Sequence, residues 1–403
     1  MTLSTTKQTV PLGLLFSTTG TYGSVGQAML SGSLLAIEEI AAEKQFDFAF
    51  EPVIADPGGD LSRYTELAQT MLEDRSVTHV VGCYTSSSRK EVVPVFERAN
   101  ALLWYPSHYE GFECSDNVIY IGSSPNQHIV PLAGYMLSVY GNRIYTIGSN
   151  YVWAWESNRV MRDIVETHGG ELLAERYLSL DDTDVEWIVD EIRTLKPDFI
   201  FSTLIGASTH AFLNRYTEAV RQGELGDCPA PPIASCNLSE TELQHVDPQA
   251  RAGHFSSSVY FQSIISPANS LFVSQYKARF GAANVTSVDA EASYNAVHLL
   301  ARAIQKAGKH DVASIREAIT ECTFDAPQGC VRVDPGNFHC VLTPRLGRSE
   351  ENGQFEVIMG GHSPLSPDPY LAWFDAKHDV DAWSVFKDSS NASEAATPAQ
   401  VVK

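Results

Sequence analysis

Four apolar runs in this sequence are each followed by side chains able to hold a small polar molecule. After THVVG (78–82) come Tyr84, Thr85, Ser86, Ser87 and Ser88; after ALLW (101–104) come Tyr105, Pro106, Ser107, His108 and Tyr109. RIYTIGS (143–149) is followed by Tyr151, Trp153 and Trp155, and FIFSTL (199–204) by the small polar turn IGASTH. Aromatic walls with a few hydroxyls and helix-N-terminal amides suit a small, neutral, polar ligand. A planar amide or urea offers one carbonyl acceptor and an NH₂ donor, which Ser, Tyr and backbone groups match without a formal charge. An amino-acid zwitterion needs a carboxylate for its ammonium group as well. Glu110, Glu113 and Glu156 stand close enough in sequence to leave that class open.

Signatures of catalysis are missing. There is no G-x-S-x-G elbow, H-E-x-x-H pair, Walker loop or G-x-G-x-x-G fingerprint. The Gly-rich element GTYGSVG (20–26) has the wrong spacing for a dinucleotide and reads as a strand-to-helix turn lining a cleft. The twelve histidines form no ligand-spaced cluster, and DDTD (181–184) reads as the N-cap of a helix. Seven cysteines at irregular spacings, with no C-x-x-C, indicate neither a zinc site nor a disulfide framework; a Cys330–Cys340 pair stays open for an oxidising compartment. No catalytic residue, metal or cofactor is expected.

The loops need elements to hold them. Strand-like runs occur at 10–17, 48–56, 78–84, 101–107 and 117–123, and a second series at 142–149, 171–179, 197–205 and 231–236. They are apolar almost throughout, as in sheets covered on both faces. Helical stretches fall between them at 24–44, 61–75, 87–99, 126–140, 155–168, 183–195 and 209–222. Such alternation predicts an α/β doubly wound architecture, and ligands of open parallel sheets bind beyond the carboxyl ends of the strands. Because the series restarts near residue 125, two similar lobes are expected. Two long helices (268–282 and 289–308) and short strands near 330–334, 338–345 and 354–359 would complete them. The Ser/Ala/Thr-rich tail, 387–403, is expected to be disordered.

Composition bounds the function further. The chain has 403 residues, 44% of them hydrophobic and 10% aromatic, enough to bury a large core. Its 28 Lys+Arg stand against 49 Asp+Glu, a formal charge of −21, which argues against direct nucleic-acid binding. No run approaches the roughly 20 apolar residues of a membrane span. The opening MTLSTTKQTVPLGLLF lacks the pattern of a secretory signal, so a cytoplasmic protein is expected; a periplasmic one is the alternative if a signal segment lies upstream.

Several segments, in order and with matching spacing, resemble the amide-sensor and urea/short-chain-amide binding proteins, and among them most closely the sensors that regulate aliphatic amidase expression. They are LLFSTTG (14–20), ADPGGD (55–60), VGCYTSSSRKEVVPVFERANALLWYPSHYEGFE (81–113), SSPNQ (123–127), GSNYVWAWESN (148–158), FDAPQGCVRVDP (324–335) and PDPY (367–370). The resemblance implies a type I periplasmic-binding-protein fold, two doubly wound parallel-sheet lobes joined by three crossovers. On that pattern the N-terminal lobe takes 8–124 plus 251–328 and the C-terminal lobe 125–250 plus 329–375. It implies an amide pocket built from Tyr84 and Ser86, from Tyr105, Ser107 and His108, and from Tyr151 and Trp153. Ser86 and Ser107 would bond the amide head group, and the tyrosines would enclose its tail. It further implies a negative regulator of an amidase operon that sequesters an RNA-binding antitermination regulator, a partner an acidic surface suits. A solute-binding component of a urea or short-chain-amide ABC transporter is the alternative, and self-association is left open. Two departures alter pocket size and polarity: Ser107-His108 stands where the sensors have Thr-Pro, and Trp153-Ala154-Trp155 where they have aromatic-Pro-Arg.

Overall fold

Backbone hydrogen bonds gather the first strand series into one parallel sheet. In the computed structural model, which describes residues 7–74, 77–226 and 229–385, β1 (Gln8–Leu15), α1 (Gly23–Ala42), β2 (Phe48–Ala55), α2 (Leu61–Asp74), β3 (His79–Gly82), α3 (Ser86–Ala99), β4 (Leu102–Tyr105) and β5 (Val118–Tyr120) follow one another. The spatial order is β2-β1-β3-β4-β5, so the chain reverses its winding between β1 and β3. Leu12, Leu14, Val80, Val81, Leu102 and Leu103 are fully buried because helices cover both faces.

The second series repeats the plan. It comprises α4 (Pro125–Val139), β6 (Arg143–Ser149), α5 (Val152–Thr167), β7 (Glu171–Leu178), α6 (Glu186–Leu195), β8 (Phe199–Thr203), α7 (Ala207–Gln222), β9 (Ile233–Ser235), α8 (Glu240–Leu243) and β10 (Phe255–Ser258). The parallel order β7-β6-β8-β9-β10 mirrors the first sheet, with its switch point between β6 and β8. Pro125 opens α4, where its missing N–H costs nothing, and the Gln127 side chain accepts from the Ser124 N–H at 3.0 Å.

The remaining chain returns to both lobes. Helices α9 (Pro267–Phe280), α10 (Val288–Ala307) and α11 (Val312–Ile319) and the small antiparallel sheet of β11 (Thr323–Ala326), β12 (Gly329–Val333) and β13 (Cys340–Val341) pack on the first lobe, sharing its core. Strands β14 (Arg345–Ser349) and β15 (Phe355–Gly360) extend the second sheet antiparallel beside β10, and α12 (Ala376–Asp381) packs on α4. The chain therefore passes between lobes three times: after β5, after β10 and after β13.

Three expectations need correction. The second crossing falls after Ser258 rather than at 250, because β10 pairs with β9 and β14. The third falls after Val341 rather than at 328, because β12 and β13 share the first-lobe core through Val331, Val333 and Cys340. DDTD does not cap α6: the helix begins at Glu186 with Val185 as N-cap, and the Asp182 carboxylate instead accepts from the Asp184 N–H at 3.0 Å. Cys330 and Cys340 also lie badly for a bridge. Cys340 is opposite Val333, three residues along from Cys330, and the one is buried while the other is exposed. That stagger is about 10 Å, beyond disulfide reach. The 387–403 tail lies outside the described residues.

Candidate functional site

The switch points of the two sheets face each other, and the loops singled out in the sequence leave the strands there. Past β3, Cys83 adopts a left-handed φ of 67°, uncommon for a residue with a side chain, and its N–H bonds the Leu15 carbonyl at 2.9 Å. This turn presents Tyr84, whose ring lies 5.4 Å from that of Tyr22 in the β1–α1 turn. Thr85 then caps α3 by accepting from the Ser88 N–H at 3.2 Å. GTYGSVG is thus a turn whose Tyr22 lines the cleft, as its spacing suggested.

The β4 loop lies beside it. The Tyr105 hydroxyl donates to the Tyr84 carbonyl at 2.7 Å, which ties the two loops together. Ser107 is buried, and its carbonyl carbon passes so close to Gly122 that a Cβ there would meet it at 2.0 Å. The His108 ring packs 5.1 Å from Trp153 and 5.7 Å from His128. Burial pushes the pKa of His108 down to about 4, so its imidazole is neutral at neutral pH.

From the second lobe, Tyr151 is the N-cap of α5, and its ring stands 6.1 Å from Trp153. Burial raises the Tyr84 and Tyr151 hydroxyl pKa values. Charge on Tyr105 raises both further, as do Asp289 and Tyr151 for Tyr84 and Glu110 and Tyr22 for Tyr151. Tyr151 packs against the core that contains Tyr22 and Tyr84, so tyrosines of both lobes meet there. The lobes also meet where Thr21 donates to Asp181 at 2.6 Å and where Gly206, in the IGASTH turn, approaches the Thr21 carbonyl.

Tyr84, Tyr105, Ser107, His108, Tyr151 and Trp153 therefore assemble around the closed cleft. Ser86 is different. Its hydroxyl donates to Glu110 and lies 3.3 Å from the Arg89 guanidinium, inside a buried ionic network. Arg89 bonds Glu110 at 3.1 Å and Glu113 at 2.7 Å, and stacks 4.7 Å from the Tyr105 ring centre and 4.6 Å from that of Tyr109. Burial alone would raise the Glu113 pKa, yet the Arg89 charge, with Lys90, holds it at about 2. Glu110 and Glu113 are thus occupied by cations of their own chain. Trp155 faces solvent and bonds Asn150 at 3.1 Å, and Glu156 pairs with Arg159 at 2.9 Å on the same helix.

Other site residues had no local signal. A small cavity at the inner end of the cleft, about 10 Å³ and so room for roughly one water, is lined by Pro106, His108, Ser123, Ser257, Ser258 and Asp289 among others. Ser257 is fully buried with an unpartnered hydroxyl, and the Trp153 indole N–H is likewise buried and unpartnered. Among the described residues no cluster of His, Cys, Asp and Glu has metal-binding arrangement, and no helix is long and apolar enough to cross a membrane.

Two mirrored α/β lobes closing on an aromatic cleft make a bilobal ligand-binding protein. The chain belongs to the periplasmic binding protein domain family, whose model matches residues 10–375. The leucine-, isoleucine-, valine-, threonine- and alanine-binding protein of Pseudomonas aeruginosa is 21% identical over 337 residues, 81% of this chain and 86% of that one. The fold matches a solute-binding protein of an ABC transporter from R. palustris solved with benzoate, at a TM-score of 0.79 and 18% identity, covering 90% of this chain and 98% of that one. It also matches the branched-chain amino acid binding protein LivJ of Streptococcus pneumoniae with isoleucine, at a TM-score of 0.76 and 19% identity, covering 89% of this chain and 100% of that one. A limonene hydroxylase from Geobacillus stearothermophilus is 28% identical over 140 residues, but the match spans 34% of this chain and only 26% of that protein, too little to carry an activity across. The chain is a type I periplasmic binding protein, and a binding protein rather than an enzyme.

Proposed function

We propose that this protein is the solute-binding component of an ABC transporter and holds a small, planar, polar ligand of the short-amide or urea class between Tyr84, Tyr105, Ser107 and His108 of one lobe and Tyr151 and Trp153 of the other. The observation that carries the reading is the His108–Trp153 contact across the cleft, with the Trp153 indole N–H buried and unpartnered beside it. A flat ligand with a carbonyl acceptor answers that donor, and the surrounding rings cover its faces. The family match and the transporter proteins among the solved neighbours support the solute-binding role. On this reading the protein works outside the cytoplasmic membrane.

A second reading has the same pocket serving a cytoplasmic amide sensor that releases an RNA-binding antitermination regulator. It is favoured by the loop motifs at 81–113 and 148–158, whereas the comparisons support the coarser statement of ligand binding and, beyond it, the transporter.

Thermal melts with acetamide, propionamide, urea, leucine and benzoate test the ligand class. A ligand at about 100 times its dissociation constant stabilises the folded state by roughly 2.7 kcal/mol. An upward shift with an amide or urea is expected; a shift with leucine or benzoate alone contradicts the reading. Fractionation of the native host separates the two roles.

A further inference from the structure

The angle between the lobes is carried by the three crossings, and hydrogen bonds tie these crossings to one another. At the first and third, the Tyr120 N–H donates to the Phe338 carbonyl at 2.9 Å and the Gln127 amide to the Cys340 carbonyl at 3.1 Å. At the second and third, the tie is Arg345, the first residue of β14 in the second lobe. One nitrogen of its guanidinium donates to the Val259 carbonyl at 2.5 Å and to the Thr343 carbonyl at 2.9 Å. Another donates to the Gln328 carbonyl at 2.8 Å. Val259 joins the first-lobe core directly after the second crossing, and Gln328 lies in the β11–β12 turn of the same lobe. Only Thr343, two residues before Arg345, belongs to the third crossing itself.

Arg345 is 7% exposed, and its three acceptors are neutral carbonyls. The charge that answers it stands one residue further on. Glu291 of α10, fully buried, accepts from the Gln328 N–H at 3.2 Å and from the Gln328 side-chain amide at 2.8 Å. Burial lowers the Arg345 pKa, and the Glu291 charge opposes that fall. A carboxylate, a peptide group and a guanidinium thus connect α10 of the first lobe to β14 of the second. The lobes meet across the cleft through Thr21 and Asp181 at 2.6 Å and through the His108 and Trp153 rings. Rotating β14 away from the first lobe would take the guanidinium from Val259 and Gln328, while Thr343 travels with it. A buried cation that loses two of three acceptors resists that rotation. Val259 lines the inner cavity of the cleft; Arg345 does not.

We infer that Arg345 is the positioning residue of the hinge: bonded to Val259 and to the Gln328 peptide that Glu291 orients, it holds the lobes at the angle seen here and so sets ligand affinity without touching the ligand. The inference concerns the hinge and is independent of which ligand the cleft takes. Weakening these bonds shifts the population toward lobes set further apart, and binding must then restore the angle at its own expense.

Small-angle X-ray scattering of the ligand-free full chain, as wild type, Arg345→Lys and Glu291→Gln, tests it. Lysine keeps the charge but lacks the fork that spans Val259 and Gln328. The radius of gyration is expected to rise in Arg345→Lys, and by less in Glu291→Gln, with cooperative melting in both. Should Arg345→Lys fail to fold, Glu291→Gln carries the same readout. A purely structural role would lower the melting temperature and leave the radius alone; wild-type radii in every variant that folds overturn the inference. Calorimetry with acetamide is expected to show roughly tenfold weaker binding by Arg345→Lys, the scale of one charge-assisted hydrogen bond, with excess acetamide returning the radius to that of the wild type. An enlarged radius with unchanged acetamide affinity overturns the link to binding. Binding of neither acetamide nor urea by the wild type contradicts the amide reading, and the scattering comparison still decides the hinge.

Discussion

The Arg89 guanidinium donates to the Glu110 carboxylate at 3.1 Å with both side chains almost wholly withdrawn from solvent, directly behind the cleft tyrosines. The pair joins α3 to the β4 loop and so fixes two of the three loops that build the site. Removing one partner leaves the other charge buried. Glu110→Gln is expected to destabilise the protein by about 3 kcal/mol in urea denaturation. A loss below about 0.5 kcal/mol would show the network to be solvated and dispensable.

Gly122 faces the Ser107 carbonyl so closely that a methyl group would stand 2.0 Å from it. Gly122→Ala must push the loop carrying Ser107 and His108, at a cost of about 1–3 kcal/mol. Because that loop forms one wall of the cleft, ligand affinity is expected to fall by roughly tenfold in a protein that still melts cooperatively. Unchanged affinity would place Ser107 and His108 outside the binding wall.

The Thr21–Asp181 hydrogen bond joins the β1–α1 turn of one lobe to the loop after β7 of the other at 2.6 Å. It is a direct polar contact between the two lobes. Thr21→Val removes the hydroxyl without changing size and is expected to weaken ligand binding about two- to fivefold, chiefly through faster release. Equal dissociation rates by stopped flow would show that closure does not use this contact.

Buried carboxylates whose pKa values are raised give a defined pH signature. The folded protein keeps protons on Asp289 and Glu240 that the unfolded chain releases near pH 4, so stability falls as pH rises, until their folded values of about 7 and about 8 are passed. Glu291, buried and raised to about 7, contributes with the same sign. Buried neutral histidines such as His79 and His108, both lowered to about 4, act oppositely, but only below their ordinary pKa of 6.5. Between about pH 6.5 and 8.5 the carboxylates therefore dominate, at up to about 1.4 kcal/mol per group per pH unit. Without ligand, the melting temperature is expected to decline across that window, and less steeply in Asp289→Asn. A flat profile in the wild type contradicts the buried, proton-holding carboxylates.

Much of this structure was readable because its strands are apolar on both faces and its loops are not. The strands of both series and the helices between them follow that contrast, and the repeat from residue 125 corresponds to two sheets whose five parallel strands share one order. Strand β10 escaped it. Phe255-Ser256-Ser257-Ser258 is polar by composition, yet all four residues are buried, with the Ser256 hydroxyl donating to the Leu238 carbonyl at 2.7 Å. Overlooking that strand displaced the second crossing and hid Ser257 and Ser258 from the list of cleft residues. The aromatic loops were visible because each follows its strand directly. Asp289 and Glu240, both buried, gave no such cue: one sits in the first turn of a helix on the first lobe, the other on a four-residue helix of the second. The occupancy of Ser86 by Glu110 likewise depends on a contact 24 residues away.

The central claim is that a small planar ligand binds between Tyr84 and Tyr105 on one side and Tyr151 and Trp153 on the other. Calorimetric titration of acetamide and urea into the wild type, Trp153→Ala and Trp373→Ala tests it most directly, since Trp373 is exposed and lines a surface pocket with Val130 and Trp383. The expected result is one site per chain for the better of the two ligands, weakened by roughly tenfold or more in Trp153→Ala and unaltered in Trp373→Ala. Equal binding by Trp153→Ala and the wild type would contradict it.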